Sequence, residues 1–214
     1  MGFVDRLKKG FSMLFNPSGD AKGNYSIGKS LKFYYTVAIL SAIFAAIVFS
    51  VAYFAGASAT SITLLMGAHG SLYIGLLLIA LMLFVFIPIG IFIDSAIYQL
   101  VGRFFLKTFK STYEKTFAAV AGAITPVTLL FWLLYIPFVG LGFAVLIGVW
   151  EFVLLVITLS VQQRTTRVSV AVTLLVAIAI MAIIAWSLVG TGLLAAYSSG
   201  IAIGRTIPGT LGSV

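Results

Sequence analysis

Apolar runs of about twenty residues, separated by short polar joints, leave this chain few ways to fold. They cover about Tyr34 to Ala55, Leu72 to Ile93, Phe117 to Tyr135, Gly140 to Ser160 and Val168 to Val189. A bilayer's hydrocarbon core is about 30 Å thick and takes roughly 20 apolar residues of helix to cross. Continuous runs point to helices, whereas barrel strands alternate apolar and polar residues. The chain is 62% hydrophobic and 8% charged, and so lacks the charge to cover a water-soluble surface. The expected fold is therefore an all-α integral membrane protein, a bundle of five transmembrane helices. The second run keeps an amphipathic spacing to Leu106, so residues 94–106 either continue that helix or lie at the interface.

Lysines and arginines alternate with the runs. Arg6, Lys8, Lys9, Lys22, Lys29 and Lys32 precede the first, Arg103, Lys107, Lys110 and Lys115 follow the second, and Arg164 and Arg167 follow the fourth. Only Arg205 falls on the opposite side. By the positive-inside rule the crowded side is cytoplasmic, with the N-terminus inside and the C-terminus outside. The chain then divides into a cytoplasmic segment (1–33), a membrane domain (34–192) and a short extracytoplasmic tail (193–214). The expected location is the cell membrane, as a multi-pass protein, or the endoplasmic reticulum or Golgi membrane in a eukaryote. The net charge of +8 is thus a topology signal rather than a nucleic-acid signal. Lys8, Lys9, Arg103, Lys107, Lys110, Arg164 and Arg167 are candidate contacts for lipid headgroups or partners. Phe33, Tyr34, Tyr35, Phe104 and Phe105 sit where interfacial aromatic belts are expected.

Residues 3–15 place Phe3, Val4, Leu7, Phe11 and Leu14 at helical spacing among Asp5, Lys8, Lys9 and Ser12. This predicts a short amphipathic helix on the inner membrane surface. Ala55-Gly56-Ala57 resembles a signal cleavage site, but the preceding apolar run, about 22 residues, exceeds a signal core of about 7–15 and reads as a retained helix.

Gly23 to Ser30 matches the phosphate-loop pattern G-x-x-x-x-G-K-[ST]. That loop works only between a β-strand and a helix, and polar residues precede it here, so it reads as a tether and nucleotide binding is not expected. Two acids stand out. Glu151 lies mid-way along the fourth run, where an ionised carboxylate costs about 3 kcal/mol or more. It is expected to face protein or water, or to be protonated, on a face shared with Gly140, Ala144 and Gly148 above and Leu155, Thr158 and Gln162 below. Asp94 lies near the inner end of the second run, one turn before Tyr98, within reach of Arg164 or Arg167. Both acids are candidates for a polar lock between helices or for a proton or cation site. Pro88, Pro126 and Pro137 interrupt or bound the runs, and Thr125 and Thr128 stand ready to satisfy the carbonyl that Pro126 frees. Ala118 to Ala123, and Ala42, Ala46 and Ser50, read as close-packing faces.

The chain has no cysteine and one histidine, His69, read as a loop residue. No G-x-S-x-G or H-E-x-x-H pattern occurs. No catalytic residue, cofactor or metal is therefore expected. The expected partners are membrane lipid and other membrane proteins, including further copies of the chain, and not nucleic acid.

Several marks together resemble the YIP family of Ypt/Rab-interacting membrane proteins, in its prokaryotic branch. They are Phe15-Asn16-Pro17, the segment from Gly102 to Thr116 ending in Ser111-Thr-Tyr-Glu-Lys-Thr116, Pro126 in the following helix, Val139 to Leu159 with Trp150 inside it, and the short basic turn from Gln162 to Ala171. The resemblance spans roughly residues 15–190. It implies five spans with a cytoplasmic N-terminus and a non-enzymatic role, which in eukaryotic relatives is vesicle traffic through small GTPases and other family members. The short N-terminal segment departs from that pattern and leaves little room for a GTPase-docking domain. Two functions follow as expectations: a membrane scaffold, or a small transporter or channel using Glu151 and Asp94.

Overall fold

The computed structural model of the chain describes residues 2–16, 26–54, 72–136 and 139–205. All the regular structure among them is helical: α1 (Phe3–Phe15), α2 (Ile27–Phe54), α3 (Leu72–Leu81), α4 (Ile87–Leu100), α5 (Tyr113–Thr128), α6 (Gly140–Gln163) and α7 (Arg167–Arg205). A π-helical turn, Met82–Phe86, joins α3 to α4, a second, Val101–Phe105, extends α4, and a 3-10 turn, Phe131–Tyr135, follows α5. Among the described residues, four helical stretches are long and apolar enough to cross a membrane: Ile27–Phe54, Leu72–Phe105, Gly142–Gln163 and Arg167–Ser187. In the second of these, residues 94–105 continue the helix. The third predicted run is realised differently. It is a 16-residue helix, almost wholly buried from Thr116 to Thr128, that gives way to the 3-10 turn. His69, Ala55-Gly56-Ala57, Pro137 and the first residues of the Gly23–Ser30 pattern lie outside the described residues. The rest of that pattern opens α2.

The chain forms two compact units, Met1–Thr173 and Leu174–Val214. In the first, α5 is the hub, packed by α1, α2, α4 and α6. Its alanines explain why: Ala118, Ala119, Ala121 and Ala123 are all buried, and a helix this thin lets neighbours approach closely. On α2 the packing face runs through Ala38, Ser41, Ala45, Phe49 and Ala52. Ala42, Ala46 and Ser50, expected there, lie half-buried at its margin. The second unit consists, among its described residues, of the remainder of α7. Residues 193–205, expected as a tail, continue the helix, as their alanines and leucines favour.

Two prolines act in different ways. Pro88 has no N–H to offer the carbonyls four and five residues back, Phe84 and Leu83. The chain adopts a π turn there, and two hydroxyls from α2 reach in. Tyr34 donates to the Leu83 carbonyl (2.6 Å), and the Tyr35 hydroxyl lies 3.5 Å from the Phe84 carbonyl. Tyr34 is 0% exposed, which corrects its reading as a belt residue: a buried carbonyl left unpaired costs about 1–3 kcal/mol, and the phenol is better used against it. Pro126 sits in the last turn of α5. Thr125 donates to the Ala121 carbonyl (2.6 Å) and Thr128 to the Ile124 carbonyl (2.9 Å). Neither bonds Gly122, whose carbonyl Pro126 frees, so the expected rescue is replaced by ordinary back-bonding within the helix.

The N-terminal helix forms as predicted, with Asp5 accepting from the Gly2 N–H (3.0 Å). It does not rest on a surface by its whole apolar face. Leu7, Met13 and Leu14 pack with Phe33 and Val37 of α2 and with Leu129 and Leu130 after α5. Gly10 makes the approach possible, because a Cβ there would already touch Val37 (3.4 Å) and Leu129 (3.5 Å). Arg6 donates to Thr36 (2.8 Å). Val4, Phe11 and Phe15 stay exposed.

Candidate functional site

Asp94 and Tyr98 stand one turn apart on α4. Ser95 between them turns its hydroxyl back to the Ile91 carbonyl (2.5 Å). Tyr98 is buried and Asp94 half-buried. Glu151 is also half-buried, on α6. Both helices pack on α5, so each carboxylate belongs to a helix that leans on the same small-residue neighbour. Asp94 and Tyr98 keep the one-turn spacing expected of them on α4, and Glu151 stands on a different helix. Asp94 makes no ion pair with Arg164 or Arg167 among the described residues. Both arginines are exposed beside the end of α6, at the level of Gln163, whereas Asp94 lies more than a turn above Gln99, the residue that meets Gln163's ring of partners.

Glu151 marks a change along α6. Below it Leu154, Leu155, Thr158, Leu159 and Gln163 are buried. Above it Gly142, Ala144, Val145, Leu146, Gly148, Val149 and Trp150 are exposed. Of the expected inward face, Gly140 and the residues from Glu151 downward are covered, whereas Ala144 and Gly148 are exposed, because α5 ends at Thr128 and the narrow 3-10 turn covers less of α6. Gly142 and Gly148 are open: no described atom lies within 4 Å of where a Cβ would stand. Trp150 faces outward and away from the packed half. Pro126 is buried in α5 and offers no group to either acid.

A second polar constellation was not anticipated. Gln99 of α4 donates to the Ser111 carbonyl (3.0 Å), and the Ser111 N–H donates to Gln163 Oε1 (2.9 Å). Gln163 Nε2 donates to Thr116 Oγ1 (2.6 Å), which in turn donates to Gln99 Oε1. The four residues close a ring of hydrogen bonds that ties α4, the 106–112 loop, α5 and α6 together. Ser111 Oγ adds a bond to the Gln162 carbonyl (2.9 Å). The available signal was two glutamines just inside basic loops; Gln162, not Gln163, was the one assigned inward.

The basic candidates lie apart from the acids. Arg103, Lys107, Lys110, Arg164 and Arg167 are exposed around the 106–112 and 164–166 turns, while Lys8 is exposed and Lys9 half-buried on α1. Among the described residues no three His, Cys, Asp or Glu side chains converge as metal ligands would. The half-buried carboxylates on α4 and α6, with a buried phenol beside the first, can each hold a proton or meet a polar group from another helix. The chain matches no family model, no curated protein and no solved structure.

Proposed function

We propose that this chain is a non-enzymatic membrane scaffold that associates with itself or with other membrane proteins, of YIP type. The observation that carries the reading is the upper half of α6. Its glycines and alanine are exposed in a segment apolar enough to span, and small residues favour a second helix over lipid, because they let backbones meet closely. Glu151 stands at the base of that open face, ready for a polar group of the incoming helix. The family reading rests on the sequence marks above.

The proposed topology has five crossings with the N-terminus in the cytoplasm. The fifth crossing is α5 with its 3-10 turn, about 34 Å of rise in all, sheltered by its neighbours. Its support is the alternation of basic and neutral joints. Because the chain has no cysteine, single cysteines test orientation and association together. Cysteine at Ser111 is expected to label only after permeabilisation, and cysteine at Val139 in intact cells. Cysteine at Gly148 is expected to crosslink into dimers or to a neighbour in native membranes, and a bulky Gly148→Leu to abolish the adduct formed from a cysteine at Gly142. A monomer in nanodiscs with no adduct in membranes would remove the scaffold reading.

One observation favours a second reading. Asp94 and Glu151 are both half-buried on apolar helices, with the buried Tyr98 phenol one turn from the first, and a proton- or cation-coupled transporter needs such polar groups within its spans. On that reading Glu151→Gln, which keeps the side chain's shape, abolishes ion flux in proteoliposomes while thermal stability holds. Flux that is absent in wild type, or unchanged in the variant, excludes it.

A further inference from the structure

The two basic turns at one end of the first unit are stapled to each other. Ser111 bonds Gln163 and the Gln162 carbonyl, each at 2.9 Å, so Lys110 and Arg164, the next residues along, are held side by side. Thr108 and Thr173 share a hydrogen bond of 2.9 Å, which ties the Lys107 end of the same loop to the first turns of α7, begun by Arg167. Arg103 enters from the π turn. Five exposed cations thus project from one locked platform, with Glu114 as the nearby exposed carboxylate in sequence.

Two features show that the cations are placed rather than scattered. Lys107 (φ 53°) and Arg164 (φ 52°) are the positive-φ non-glycine residues of the described chain. Glycine takes that left-handed conformation without penalty and is the usual residue just past a helix. A cation near a helix C-terminus complements the dipole, which accounts for Lys107 and Arg164 but not for Lys110. Beside them, Phe104 and Phe105 are 70% and 66% exposed. The helical stretch that ends in this pair has 34 residues, about 50 Å of rise against a hydrocarbon core of about 30 Å. Its last turns therefore reach headgroup level, where aromatic rings are at home among basic side chains. A soluble acidic protein would satisfy the cations but give the two rings no apolar phase.

We propose that Arg103, Lys107, Lys110, Arg164 and Arg167 form a preorganised site for the phosphate headgroups of anionic phospholipid, with Phe104 and Phe105 seated in the interface beside it. The site is independent of the scaffold reading, which concerns the far half of α6. Selectivity of about fivefold is expected from each cation.

The test uses the full chain in nanodiscs of phosphatidylcholine containing phosphatidylglycerol. The readout is the ratio of spin-labelled phosphatidylglycerol to spin-labelled phosphatidylcholine in the lipid shell. The double variant Lys107→Gly/Arg164→Gly is informative because glycine relaxes both left-handed positions: it is expected to unfold no more readily than wild type, yet to lose selectivity by about tenfold or more. Lys29→Gln/Lys32→Gln, with the same change in net charge, is expected to lose far less. Phe104→Ala/Phe105→Ala is expected to raise the accessibility of a cysteine at Lys110 to a water-soluble reagent. Equal losses from the two charge variants would mean general attraction to the protein's net charge and would overturn the site, as would unchanged selectivity in the glycine variant.

Discussion

Gln163→Leu is expected to lower stability by about 2–5 kcal/mol, because it strands two partners at once. The Ser111 N–H loses its acceptor and Thr116 Oγ1 its donor, at a position that is itself 0% exposed. Thermal unfolding in mild detergent, followed by tryptophan fluorescence, measures the loss. The ring makes a sharper statement than any one bond. Thr116→Val alone leaves Gln99 Oε1 and Gln163 Nε2 unmatched, but in a chain already carrying Gln163→Leu only the first remains to be lost. The double variant should therefore cost clearly less than the two single losses combined. Additive losses would mean that the four residues do not act as a unit.

Gly102→Leu is expected to damage the same end of the molecule as severely, through crowding. The 106–110 loop turns back onto Gly102, whose carbonyl accepts from the Thr108 N–H (2.7 Å), the Phe109 N–H (3.0 Å) and Thr108 Oγ1 (3.2 Å). The Phe109 ring, 4% exposed, lies flat against the place where a side chain would begin. A Cβ there would sit 2.5 Å from Cγ and 2.6 Å and 2.8 Å from the two Cδ atoms. These are the root of the ring rather than its flexible end, so the loop itself has to move. Gly102→Ala should cost about 1–3 kcal/mol, the usual range for overpacking, and Gly102→Leu more. The cycle with Phe109→Ala separates crowding from any effect on the helix. Once the ring is gone, Gly102→Ala should cost almost nothing. Gly90, with nothing within 4 Å of its Cβ position, is the control: Gly90→Ala should be neutral or stabilising by up to about 1 kcal/mol.

The features legible in sequence were those that depend on neighbours along the chain. Apolar runs, their lengths and the basic joints between them lead directly to long helices, because a helix satisfies its own backbone bonds and needs only an apolar surface to be at home in lipid. The amphipathic spacing of residues 3–15 likewise yields a helix. What hid was every relation across the chain. Pro88 announces orphaned carbonyls, but Tyr34 and Tyr35, which answer them, lie 49 residues away and look from sequence like interfacial anchors. Gln99, Ser111, Thr116 and Gln163 are unremarkable singly; their ring exists only once α4, α5 and α6 are packed. Asp94 and Glu151 were visible as isolated acids. That each is half-buried on a helix packed against α5 is a property of a third helix that neither acid's own surroundings disclose.

The seat of the N-terminal helix sets an order of events. Leu7, Met13 and Leu14 rest partly on Phe33 and Val37 and partly on Leu129 and Leu130. Synthesis delivers α1 before either neighbour, and half of its seat is not made until more than a hundred residues later. During that interval its apolar side chains must be sheltered elsewhere, and the nearest shelter is the bilayer surface, where Val4, Phe11 and Phe15, exposed in the finished fold, can hold it. A segment made early is thus among the last to find its place, and settles against α2 only after α5 has been built.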